Sequence, residues 1–77
     1  MKKYAGIAVH RNLEVEQTGL RESWLEAFKD LENFLKEVCE EHGIQYSSDH
    51  QSEAYEKMED EIFRFHLLTA DIVEFDL

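Results

Sequence analysis

The sequence predicts a small two-layer α+β domain, two antiparallel helices packed on a short sheet formed by the N-terminal strand or hairpin and the C-terminal strand. Three observations lead there. Tyr4 to His10 is a short, nearly continuous apolar run; from Leu20 onward apolar side chains recur at helical spacing; and Val73, Phe75 and Leu77 alternate with Glu74 and Asp76 as a half-buried strand does. The rival arrangement is a helical hairpin whose stripes pack together, with the flanking strands contributed to a dimer.

The first run reads as a strand buried on both faces, or as a core strand of a small sheet. Leu13 to Glu16 then alternates apolar and polar, so Arg11-Asn12 could join two strands in a hairpin, although Arg-Asn is a poor substitute for Asn-Gly in a two-residue turn. The helical stripe comprises Leu20, Trp24, Ala27, Phe28, Leu31, Phe34, Leu35 and Val38. Two starts compete for this helix: Thr18 can cap before Leu20, and Ser23 with Glu26 three residues on has capping-box spacing. Gly43 is placed to stop it after His42, because glycine adopts the left-handed conformation that ends a helix.

Ser48 with Gln51 repeats the capping-box spacing, and Asp49 suits the positive end of a second helix. Its stripe runs through Ala54, Tyr55, Met58 and Ile62, and can be extended to Phe65. Residues 62 to 68 suit either a helix or a strand. Asp71 marks the expected start of the last strand. The aromatics Trp24, Phe28, Phe34, Tyr55 and Phe65, all at helical spacing, are expected in the core.

With 77 residues the chain makes one domain, and a chain this short buries only about 60 to 65 % of its unfolded surface. Nine aromatic residues are too many for a disordered acidic tail, and they leave self-association open. A single cysteine, Cys39, excludes an internal disulfide and points to a reducing, cytosolic setting. His10 and Arg11 end the first apolar run too early for a signal peptide. No stretch approaches the roughly 20 apolar residues that span a bilayer.

Charge is the least even property of the chain. Residues 1 to 36 carry six Lys and Arg against six Asp and Glu; residues 37 to 77 carry two against twelve, and so hold the whole net charge of −10. Direct nucleic-acid binding needs basic residues to neutralise phosphates and is disfavoured. The inverse is attractive: carboxylates three and four apart on a helix lie about 5 to 6 Å from one another, a spacing comparable to that of phosphates along a strand. The candidate partner-binding residues are therefore Glu37, Glu40, Glu41, Asp49, Glu53, Glu56, Glu59 and Asp60, with Tyr46 as the aromatic expected beside them. Glu53, Glu56 and Asp60 form the central strip.

These observations lead to the expectation of a small acidic, cytosolic, protein-binding inhibitor, of the kind phages and mobile elements encode, which mimics nucleic-acid phosphates and blocks the basic groove of a host defence or DNA-processing protein. An anti-CRISPR is such a protein, by analogy of size and charge alone. An antitoxin or immunity protein against a basic toxin rests on the same physics. A third reading is a small metal- or cysteine-dependent enzyme using Cys39, His42 and His50. Catalysis and cofactors are not expected, because Cys39 lies among Glu37, Glu40 and Glu41, which disfavour a thiolate, and because no phosphate loop, nucleophile elbow or HExxH is present. The other use of a charge run is simply a solvated face.

Overall fold

The N-terminal apolar run forms the central strand of a three-stranded antiparallel sheet. A computed structural model describes residues 1 to 77. In chain order, the elements are β1 (Lys2–His10), β2 (Val15–Gln17), α1 (Trp24–His42), α2 (Glu53–Phe65) and β3 (Leu67–Asp76). The sheet order is β2-β1-β3, and both helices pack on one of its faces, which is the expected two-layer α+β architecture. The helices are not antiparallel, however, because the segment between them runs back along α1, where Tyr46 bonds Glu32. Phe28 near the start of α1 therefore lies against His50 just before α2, and His42 at the end of α1 stacks on His66 at the end of α2.

The hairpin is present, but its turn is not Arg11-Asn12. The His10 N–H donates to the Glu14 carbonyl and the Leu13 N–H to the His10 carbonyl, while Asn12 Oδ1 accepts from the Glu14 N–H at 3.0 Å. Leu13 thus belongs to the loop, with a positive φ of 72°, and β2 begins two residues later than its alternation suggests. Gly6 accounts for how closely the layers approach: a Cβ there would sit 3.0 Å from Leu31 Cβ on α1.

Ser23, not Thr18, caps α1; its hydroxyl accepts from the Glu26 N–H at 3.2 Å and donates to the Glu26 carboxylate at 3.0 Å. Leu20 therefore lies outside the helix. At the other end Gly43 takes the left-handed conformation, φ 68°. The second helix starts later than Ser48 with Gln51 suggests. Asp49 Oδ1 accepts from the Gln51 N–H and the Asp49 carbonyl from the Ser52 N–H. Those polar groups are thus used in a turn, and Ser52 becomes the cap by accepting from the Tyr55 N–H at 3.1 Å. Residues 62 to 68 divide between the two alternatives: α2 runs to Phe65, His66 closes it, and β3 begins at Leu67 rather than at Asp71. Leu67 is fully buried, so its burial holds the chain against the sheet directly after the helix.

Ala8, Val38, Cys39, Met58, Ile62 and Leu67 form the core, each large side chain there contributing about 1.5 to 3 kcal/mol. The core is smaller than the stripes imply. Trp24 is 51 % and Phe65 63 % exposed: each lies at a helix end, beyond the span the opposing elements cover.

Register separates the two faces of the sheet. Tyr4, Gly6 and Ala8 pair with Glu74, Ile72 and Ala70 on the helix side; Lys3, Ala5, Ile7 and Val9 pair with Phe75, Val73, Asp71 and Thr69 on the other. That second face carries no helix. The Cα extents of 38 × 28 × 16 Å accordingly allow two layers and no third.

Candidate functional site

The carboxylates singled out by the charge pattern lie on helix faces turned to solvent. Glu37, Glu40 and Glu41 are exposed on the last turns of α1, Asp49 is exposed in the turn before α2, and Glu53, Glu56, Glu59 and Asp60 are exposed along α2. Glu53, Glu56 and Asp60 fall within a narrow arc of the helix, as their spacing of three and four requires.

The ion pairs distinguish these acids from the others. Asp76 pairs with the N-terminus, Glu74 with Lys2, Glu22 with Lys3, Glu16 with His10, and Glu26 and Asp30 with Arg21. Of the eight candidate carboxylates only Asp60 is paired, with Arg64 at 3.2 Å. The N-terminus, Lys2, Lys3 and Arg21 therefore pair with acids of the sheet and of the start of α1, while Lys36 and Lys57 form no ion pair with the acids around them, which leaves the end of α1 and the outer face of α2 with a net negative field. That field reaches inward. Cys39 is pushed up by burial first and then by Glu61 and Glu40, and Tyr55 is pushed up by burial and then by Glu59 and Glu32.

Tyr46 is tied into the fold as well as placed near the acids. Its hydroxyl donates to Glu32 Oε2 at 3.1 Å, Lys36 Nζ lies 5.8 Å from its ring centre, and its pKa is raised by burial and by that bond to Glu32. The other Glu32 oxygen lies 2.8 Å from His50 Nε2, and the His50 ring stacks on Tyr55 at 4.4 Å.

Beside this network is a groove between α1, α2 and β3 that the sequence did not indicate. Trp24, stacked on Phe28 at 5.1 Å, forms one wall, Tyr55 and Phe63 line it further, and Glu32 and Glu59 stand at its edge. Glu59 thus belongs both to the groove and to the acidic face of α2. An aromatic groove edged by carboxylates suits a cationic side chain with an apolar stem. No sequence signal marks it, because it depends on how the 13-residue α2 lies against the 19-residue α1.

The residues of the metal or cysteine reading are dispersed. Cys39 is buried in the core, His42 stacks on His66 at 3.7 Å, and His50 belongs to Glu32 and Tyr55. No three His, Cys, Asp or Glu side chains are grouped to hold a metal ion, and no helix is long and apolar enough to cross a membrane. Compared with protein-family models, curated proteins and solved structures, the chain matches none.

Proposed function

We propose that this chain is an acidic inhibitor acting in a host cell cytosol, of the kind phages and mobile elements encode, and that the carboxylate face of α2 with the end of α1 occupies a basic groove built for nucleic acid. The observation that carries this reading is the distribution of ion pairs: Glu37, Glu40, Glu41, Asp49, Glu53, Glu56 and Glu59 have no cationic partner, while the acids of the sheet and of the start of α1 largely do. An unneutralised strip of this size weakens the fold through self-repulsion, and a cationic partner offsets that loss. A surface that served only solubility would mix its signs.

The test is capture of the target from host lysate by the tagged chain. Reversal of Glu53, Glu56 and Asp60 to lysine is expected to weaken binding at least tenfold, about 1.4 kcal/mol, and wild-type binding is expected to fall between about 50 and 500 mM salt. Reversal of Glu14, Glu22 and Glu26 is the control; Glu22 and Glu26 already have cationic partners, and exposed pairs of this kind are worth little. Equal behaviour of the two triple variants would show that the acidic strip is not the interface. Competition by DNA or RNA for the captured protein is the further requirement of phosphate mimicry.

A second reading, an immunity or antitoxin role against a basic toxin, is favoured by the Trp24, Phe28 and Tyr55 groove, because an apolar anchor is something a phosphate mimic does not need. Trp24→Ala separates the two. Loss of capture without nucleic-acid competition assigns the toxin reading.

A further inference from the structure

The uncovered face of the sheet is apolar and almost uncharged, in a chain of net charge −10. Register places Ile7, Val9, Val15, Val73 and Phe75 on it, with Val15 63 % and Val73 36 % exposed. Lys3 and Asp71 are its charged members, and Lys3 is already paired with Glu22 at 3.2 Å. A sheet with one wet face ordinarily alternates apolar inside with polar outside. Here β1 is apolar on both faces, yet helices cover only one.

We infer that this face is covered by a second copy of the chain, packed sheet against sheet about a two-fold axis. The charge distribution selects that occupant. Most of the unpaired carboxylates lie on the helix layer, so the open sheet face is the surface on which two copies can meet with the fewest acids brought together, and its one carboxylate, Asp71, offers little to attract a basic partner. Its size fits as well. β1 and β3, nine and ten residues at about 3.4 Å each, with the three-residue β2 beside them at a strand spacing of about 4.8 Å, give a face on the order of 350 Å² before side-chain relief is added. Small specific interfaces bury roughly 500 Å² per partner. The expected complex is therefore a weak dimer rather than an obligate one.

Sedimentation equilibrium across about 10 μM to 1 mM tests this. The mass is expected to rise from 9.2 kDa toward twice that value, and to rise further with added salt, because screening relieves repulsion between the copies. Target binding should have the opposite salt dependence, so failure of one reading is distinguishable from failure of the other. Val73→Lys and Val15→Lys should each hold the chain at 9.2 kDa with an unchanged circular dichroism spectrum, whereas Leu25→Lys, at an equally exposed apolar position on α1, should leave the mass curve unaltered. Isotope-filtered NMR contacts from Phe75 to Val15 or Val73 between copies would support the assignment even if a lysine variant failed to fold. A mass fixed at the monomer value, association lost equally in Leu25→Lys, or contacts between copies confined to the helices would overturn it. So would a monomer that binds neutral phosphatidylcholine vesicles through Val73, which would assign the face to lipid.

Discussion

Gly6→Ala tests the closest contact between the two layers. The added Cβ would lie 3.0 Å from Leu31 Cβ, 3.1 Å from Leu31 Cδ1 and 3.3 Å from Thr18 Cγ2, where carbon atoms prefer about 3.5 to 4 Å. Neither neighbour can yield cheaply. Leu31 is 7 % exposed on a rigid helix, and the Thr18 hydroxyl is held by accepting from the Gly6 N–H at 2.8 Å. Overpacking of this kind costs about 1 to 3 kcal/mol, and alanine in a strand returns roughly 0.5 to 1 kcal/mol of backbone entropy. The net loss should be about 1 to 2 kcal/mol, and each kcal/mol lowers the melting temperature of so small a domain by roughly 4 to 8 °C. Urea unfolding followed by circular dichroism measures it. A double-mutant cycle identifies the cause: Leu31→Ala alone leaves a cavity worth about 2 to 5 kcal/mol, and in the Gly6→Ala background the new methyl group fills part of that space. The double variant should then be more stable than the two losses combined imply, by about 1 kcal/mol. Strict additivity, or a Gly6→Ala protein as stable as wild type, would refute the packing argument.

Two further expectations concern the hairpin and the His42–His66 stack. Leu13 holds φ at 72° while 73 % exposed, a conformation that costs a residue with a Cβ about 1 to 2 kcal/mol, so Leu13→Gly should raise the melting temperature and Leu13→Val should lower it; a loss in the glycine variant would contradict the strain. His66 is held below its ordinary 6.5, by burial first and by His42 second, against the opposing pull of Glu41 and Glu61, with His10 and Arg11 lining the same cavity. The unfolded chain therefore binds the proton more readily, so His66 contributes stability that is present above pH 6.5 and is lost as pH falls below it. Melting temperatures taken from about pH 8 down to about pH 5.5 should decline, and should decline less in His66→Gln; parallel curves would exclude His66 as the cause.

The parts of the fold legible in the sequence are those decided within a few residues. Ser23 with Glu26 and Gly43 mark both ends of α1 because caps are local hydrogen-bond devices, and the apolar run of β1 needs no partner to be recognised. Local signals misled where two of them competed. Ser48 with Gln51 has capping-box spacing, but the carbonyl and carboxylate of Asp49 close a turn first, and the cap passes to Ser52. Likewise Leu13 alternates as a strand residue does, yet the turn needed a third residue. The carboxylate face was legible because exposed acids fall on a wheel whose other side is apolar. The groove was not, since it depends on where the shorter α2 stops against α1, which is a property of the packed pair. For the same reason the aromatic stripe overstated the core: helical spacing says which way Trp24 and Phe65 point, but not whether anything is there to meet them.

The two surfaces constrain each other. Packed sheets lie about 10 Å apart, and each copy is a sheet backed by one helix layer, 16 Å thick across its Cα atoms. A dimer through the open face would order its layers helix, sheet, sheet, helix, so the strips formed by Glu53, Glu56 and Asp60 would lie on opposite outer surfaces. One basic groove could not engage both. Dimerisation would therefore add no contact to a single target, and would raise apparent affinity only for a target that offers two grooves in reach. Salt would divide the two events further, since it weakens the contact that depends on charge and strengthens the one that charge opposes. A target captured equally well by wild type and by Val73→Lys would place the whole of the binding energy on the helix layer, which is where the unpaired carboxylates already lie.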